Sequence, residues 1–241
     1  VRKIVAHLDK YPDGVPLPSG GSLTTRRFLQ LGLNLGRGSG LEDVYFFTEN
    51  AFEGEGDNEQ LSFSFLRSFE NAQGFDTNPI YAILHESIYC EGKASAWSAE
   101  RVMNKLMEDN PTTFDYKVAL EKGDDHPVYF TGEMVFPFMF DGCYSELAPL
   151  KKAAELLAAD DSWVSLYDKD ALAQCPVPCA AAVYYDDMYV ERMFSEEVAK
   201  LMPNTKIWVT NEYQHSGLSD DGGKIFDRLM GMVKGTVSIP S

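Results

Sequence analysis

Cysteine is scarce in this chain of 241 residues: Cys90, Cys143, Cys175 and Cys179 are the four. Cys175 and Cys179 stand in Cys-Pro-Val-Pro-Cys, a spacing too wide for the common redox or zinc pair, and no second pair follows. The expected state is four buried thiols in a reducing, cytoplasmic compartment. Histidine is as rare, and His7, His85 and His126 lack ligand spacing, so no metal is expected. No cofactor is expected either, because Gly222-Gly223-Lys224 is too short for a phosphate loop. Positive charge is sparse as well. With 21 Lys+Arg against 37 Asp+Glu the net charge is −16, which excludes the cationic footprint of broad nucleic-acid or anionic-membrane binding. No run approaches ~20 uninterrupted apolar residues, so no transmembrane helix is expected. The first residues also lack the apolar run and small-residue cleavage site of a secretory leader. Residue 1 is Val and opens directly onto a helical pattern, so the chain reads as a fragment or a processed product.

What the chain does contain is a globular composition. Its 44% hydrophobic, 24% charged and 12% aromatic residues exclude a disordered or collagen-like chain. The length fits one large domain or two small ones, with a core that needs no disulfide or metal. No internal repeat or low-complexity stretch is present.

Two regions carry different patterns. Up to about Leu157 the signals are helical: Val1–Leu8, a helix capped by Thr24 or Thr25 and ended by Gly36 and Gly38–Gly40, then Leu41–Phe52 and Asn58–Ala72. Further helices are predicted from Asn78-Pro79 to about Cys90, over Ser98–Met107 and, after a polar bridge from Asp109 to Asp125, over Tyr144–Ala158. From about Val177 the pattern changes. The apolar run from Pro178 to Tyr185, closed by Asp186-Asp187, suits a strand buried on both faces. A helix capped by Ser195 and running to Leu201, a strand over Lys206–Thr210 and a closing helix over Asp221–Val233 follow. Strand–helix–strand–helix with short links is the unit of parallel α/β sheets. Two strands make no stable sheet alone, which fits the fragment reading.

The chemistry in this pattern is an acid just beyond one strand and a histidine just beyond the next. Asp187 follows the first strand, and His215 lies 28 residues later in Asn211-Glu212-Tyr213-Gln214-His215-Ser216-Gly217. Functional groups of open α/β sheets gather outside the carboxyl ends of strands, so both loops face one crevice. An Asp there can fix one imidazole nitrogen and leave the other to take a proton. Lone Asp and His residues are also common in such loops as helix caps and surface groups, and residue patterns alone leave both readings open.

A resemblance narrows the choice. The stretches that carry it are Leu23-Thr24-Thr25-Arg26-Arg27 with Leu31-Gly32, Phe75-Asp76-Thr77-Asn78-Pro79-Ile80-Tyr81-Ala82, and Leu84-His85-Glu86-Ser87-Ile88-Tyr89-Cys90. Phe130-Thr131-Gly132-Glu133-Met134-Val135-Phe136-Pro137, Val183-Tyr184-Tyr185-Asp186-Asp187-Met188-Tyr189-Val190 and Glu212-Tyr213-Gln214-His215 complete it, in order along nearly the whole chain. Together they resemble the later portion of the proline iminopeptidase (prolyl aminopeptidase) family of α/β-hydrolase serine peptidases. The resemblance implies a helical cap over residues 1–160 and, over 161–241, the C-terminal part of an α/β-hydrolase core. It also implies a serine exopeptidase whose substrate is a peptide with a free N-terminal proline. Asp187 then matches the triad acid, nine residues after Pro178, with Asp186 as the fallback, and His215 matches the triad base.

The substrate's secondary ammonium calls for a carboxylate. A buried charge-assisted contact of about 1.5–3 kcal/mol would give a preference of roughly ten- to a hundredfold for the free amine. The resemblance offers Glu86 and Glu133, each equally readable as a surface or salt-bridged acid. The aromatic cluster Phe136–Phe140 suits either a proline pocket or an ordinary core. The nucleophile elbow Gly-x-Ser-x-Gly and a glycine-rich oxyanion loop are missing; Ser22, in Ser19-Gly20-Gly21-Ser22, precedes a helix and is no substitute. Alone, the chain is therefore expected not to hydrolyse peptides. The competing readings are a non-catalytic, hydrolase-derived binding protein and an esterase of the same fold. Oligomeric state is not encoded legibly.

Overall fold

A computed structural model of the chain describes residues 1–110 and 112–238. They divide into two compact units, Val1–Leu33 with Val44–Val164, and Asn34–Asp43 with the chain from Ser165 onward.

The first unit is built from short helices. α1 (Arg2–Leu8) buries Ile4, Val5 and Leu8, and α2 (Thr25–Leu29) begins where the Thr24 hydroxyl accepts the Arg27 N–H. Between them β1 (Val15–Pro16) and β2 (Ser22–Leu23) pair antiparallel. α3 (Gly40–Glu49), whose first residues group with the second unit, ends before a second small hairpin, β3 (Phe52–Glu53) with β4 (Gln60–Leu61). α4 (Phe63–Ala72) starts only after Ser62, whose hydroxyl accepts the Phe65 N–H, so the helix predicted from Asn58 is shorter by its first turn. Phe52 likewise lies in β3 and not in a helix.

α5 (Pro79–Leu84) gives way to a 3₁₀ turn over Glu86–Tyr89 before the predicted end at Cys90. α6 (Ser98–Asp109) follows, and the expected polar bridge contains α7 (Tyr116–Lys122), capped by the Asp115 carboxylate through the Lys117 and Val118 N–H groups. The helix expected from Tyr144 begins only at Lys151, as α8 (Lys151–Ala159), because Pro149 falls inside the predicted span and restricts the chain there to a 3₁₀ turn.

Two apolar clusters fill this unit. One gathers Leu23, Phe28, Phe65 and Phe69 around α1; the other gathers Phe75, Phe136, Met139, Tyr144 and Leu147. Arg27 is buried beside them. Its guanidinium donates to Gln73 Oε1 and Asp76 Oδ2, each at 2.9 Å, and to the Cys143 carbonyl, and it lies 3.8 Å from the centre of the Tyr144 ring. Three distant segments thus converge on one charge, which is the structural content of the Thr-Thr-Arg-Arg and Phe-Asp stretches.

The second unit is α/β. After α9 (Lys169–Ala173), β5 (Cys179–Tyr184) and β6 (Thr205–Thr210) pair in parallel, from Cys179 beside Thr205 to Tyr184 beside Thr210. α10 (Arg192–Leu201) connects them and α11 (Gly217–Lys234) follows, kinked at Asp221, where φ −150° and ψ 51° interrupt the helix. α10 starts three residues before Ser195, capped by Glu191 and not by Ser195. Arg192 explains the extension: it pairs with Glu196 one turn on, and its guanidinium lies 4.8 Å from the Tyr185 ring centre. Val183, Ile225 and Met232 are the buried apolar centre of this unit. The cysteines divide differently from expectation. All four are free thiols, but only Cys90 and Cys143 are buried, while Cys175 and Cys179 are half-exposed.

Candidate active site

The parallel register brings the C-terminal ends of β5 and β6 side by side, and the pairing continues one step further as the Tyr185 N–H donates to the Thr210 carbonyl. Both following loops therefore leave the sheet at the same edge. In the first, the Asp187 carboxylate turns back on its own loop: Oδ1 accepts the N–H groups of Tyr189 at 2.8 Å and Val190 at 3.0 Å. These bonds fix the side chain and leave Oδ2 pointing at the second loop. There it lies 3.0 Å from Nδ1 of His215.

The Asp187 side chain is 6% exposed and that of His215 is 45% exposed, so a covered carboxylate meets an imidazole open to a reactant. An ionised carboxylate only accepts, so Nδ1 carries the proton and Nε2 is left as the basic nitrogen. Asp186, one residue earlier, is exposed.

Several contacts hold the histidine loop. Tyr184, at the end of β5, lies so close to Gly217 that a Cβ there would sit 2.5 Å from the phenol oxygen; no larger residue fits without displacing the ring. Burial, reinforced by the nearby Asp187 carboxylate, pushes the Tyr184 phenol up from its ordinary value. The Tyr213 hydroxyl donates to Asp221 Oδ2 at 2.9 Å, at the kink of α11. The Ser216 hydroxyl donates to Asp220 and accepts the Gly38 N–H, and the Tyr189 ring meets the His215 ring edge to face at 4.6 Å. Sequence patterns gave no warning of the parts played by Gly38, Ser216 and Gly217. Tyr189 stood only within a resembling stretch.

The two glutamates lie in the first unit. Glu86 opens the 3₁₀ turn, and its carboxylate reaches α6, accepting the Ser98 N–H at 3.2 Å and the Ala99 N–H at 2.9 Å. It is the cap of that helix, whose own N-cap residue, Trp97, has φ +55° and makes no side-chain cap bond. Glu133 is half-buried in a loop beside Met134. Ser22 lies in β2, paired with Pro16. Among the described residues no cluster of His, Cys, Asp and Glu could hold a metal, and no helix is long and apolar enough to cross a membrane.

Compared with models of protein families, the chain gives no match. It is 45% identical over 228 residues to a proline iminopeptidase of Aeromonas sobria, covering 95% of this chain and 49% of that protein. It is 31% identical over 237 residues to proline iminopeptidase aneH of Aspergillus aculeatus, covering 96% of this chain and 48% of that protein. The chain spans about half the length of these curated relatives. With an α/β unit that carries Asp187 against His215, and identity that extends over nearly all its residues, the chain is a homologue of the proline iminopeptidases.

Proposed function

We propose that this chain supplies the acid and base of a serine exopeptidase that releases N-terminal proline from peptides, within a partial α/β-hydrolase core. The observation that carries the reading is the 3.0 Å contact between Asp187 Oδ2 and His215 Nδ1 at the ends of adjacent parallel strands. The names of the two relatives give it its substrate class.

In this mechanism the nucleophilic serine and the oxyanion donors come from outside these 241 residues. Nε2 of His215 takes the serine proton as the oxygen attacks the carbonyl of the first residue, and returns it to the departing amine. Asp187 steadies the imidazolium. Glu86 and Glu133 bind the substrate ammonium. Glu86 already accepts two backbone N–H groups, one on each oxygen, so it does so through the remaining lone pairs. A cytoplasmic setting agrees with four free thiols.

The test uses the polypeptide extended to the length of its relatives, assayed on prolyl anilide, alanyl anilide and N-acetylprolyl anilide. The expected result is hydrolysis of the first with a strong preference over the other two, and none by the 241-residue chain alone. Glu86→Gln should reduce the preference for the free amine by roughly ten- to a hundredfold. An extended enzyme that cleaves the acetylated substrate as well as the free one would refute the exopeptidase reading. An unchanged preference in Glu86→Gln would confine that residue to capping α6.

A further inference from the structure

The segment around Gly36–Gly38 lies 149 residues before Asp187 and 177 before His215, counted from Gly38, yet it groups with both loops in one unit. It touches both loops. The ring of Tyr189 rests on Gly36, where an added Cβ would lie 2.5 Å from Cζ and 2.8 and 2.9 Å from the two Cε atoms. The Gly38 N–H donates to Ser216 Oγ at 3.0 Å, next to His215, and the same hydroxyl donates to Asp220 Oδ2 at 2.7 Å.

Tyr189 links these contacts to the chemistry. Its N–H holds Asp187 Oδ1 at 2.8 Å, and its ring stands at 85° to the imidazole with centroids 4.6 Å apart. A single hydrogen bond to Asp187 leaves the imidazole free to swing about that bond. An aromatic wall against the ring removes that freedom, and the wall itself needs a backing, which Gly36 provides because it has no side chain.

We propose that Tyr189 is a positioning residue for His215, backed by Gly36, and that the Gly38–Ser216 bond ties the same brace to the histidine loop. The proposal rests on the acid–base reading of Asp187 and His215 for its consequence in catalysis, but its geometry can be measured without catalysis. In the 241-residue chain, the Nδ1 proton of His215 is followed by NMR and its exchange with water timed. Tyr189→Leu and Gly36→Ala should speed that exchange at least about tenfold, as a hydrogen bond with a loose partner opens more often. Tyr189→Phe, which keeps the ring, should stay closer to the slow rate than Tyr189→Leu.

In the extended polypeptide, Tyr189→Leu should lower kcat by roughly 10–10²-fold with KM little changed, since misorientation costs the chemical step and not binding. Should Tyr189→Leu or Gly36→Ala fail to fold, Ser216→Ala, which cuts only the tether to Gly38 and Asp220, is expected to raise the exchange rate in the same direction. Unchanged exchange in Tyr189→Leu, or in Ser216→Ala where that variant is the one measured, overturns the brace. If exchange responds as expected while His215→Ala leaves peptidase activity intact, the brace stands and the catalytic reading falls.

Discussion

His85 shows how one side chain can be placed by packing alone. It is 8% exposed, with Tyr81 and Tyr89 at ring distances of 5.0 and 5.8 Å, and its Nδ1 has no hydrogen-bond partner among the described residues. Burial lowers its pKa below 6.5, with the Glu86 carboxylate pulling weakly the other way. The fold therefore favours the neutral ring. As pH falls from about 6.5 through the lowered folded value, the unfolded chain takes up the proton first, and stability is lost over that window. His85→Phe removes this component. Urea midpoints measured at pH 7.5 and pH 5.0 should fall less in His85→Phe than in the wild type; equal falls would show that His85 has no part in the acid limb. Residue-level reading of the sequence picked out Asp187 and His215, which the structure brings to 3.0 Å, because Asp and His in strand-end loops carry a recognisable chemistry. It did not find what Glu86 touches, since a cap formed from outside a helix, 12 residues away, has no local signature.

Secondary-structure elements were legible where the side-chain pattern is strong. The apolar runs Cys179–Tyr184 and Ile207–Val209 fall in strands that pair in parallel, but only Val183 of β5 is buried, so the burial on both faces expected of that strand is not met in this chain. Helix ends were less legible. Ser62, Pro149 and Glu191 each set a boundary that apolar periodicity did not reveal. The two-residue hairpins β1–β2 and β3–β4 are too short to show alternation at all. Where β5 meets α11, close packing decides the geometry. In Gly217→Ala the new methyl would collide with the Tyr184 phenol, so the variant should lose about 1–3 kcal/mol of stability. Chemical denaturation checks this; a variant as stable as the wild type would mean that Tyr184 moves aside freely.

Across the molecule, the division into units departs from a simple cut along the chain, because Asn34–Asp43 groups with the residues from Ser165 onward. No composition or periodicity marks that segment: Gly36, Gly38, Ser39 and Gly40 read as a helix terminator, and their long-range partners appear only in three dimensions. The resemblance, by contrast, was legible along almost the whole length, and the relatives match nearly all of this chain while it spans about half of theirs. The functional account rests on an imidazole held by one carboxylate at the edge of a two-stranded parallel pair. Its most direct check is kcat/KM for prolyl anilide in the polypeptide extended to its relatives' length, compared between wild type and His215→Ala. A loss of about 10²–10⁴-fold is predicted, the range that general acid–base catalysis supplies. A His215→Ala enzyme of undiminished kcat/KM would contradict it.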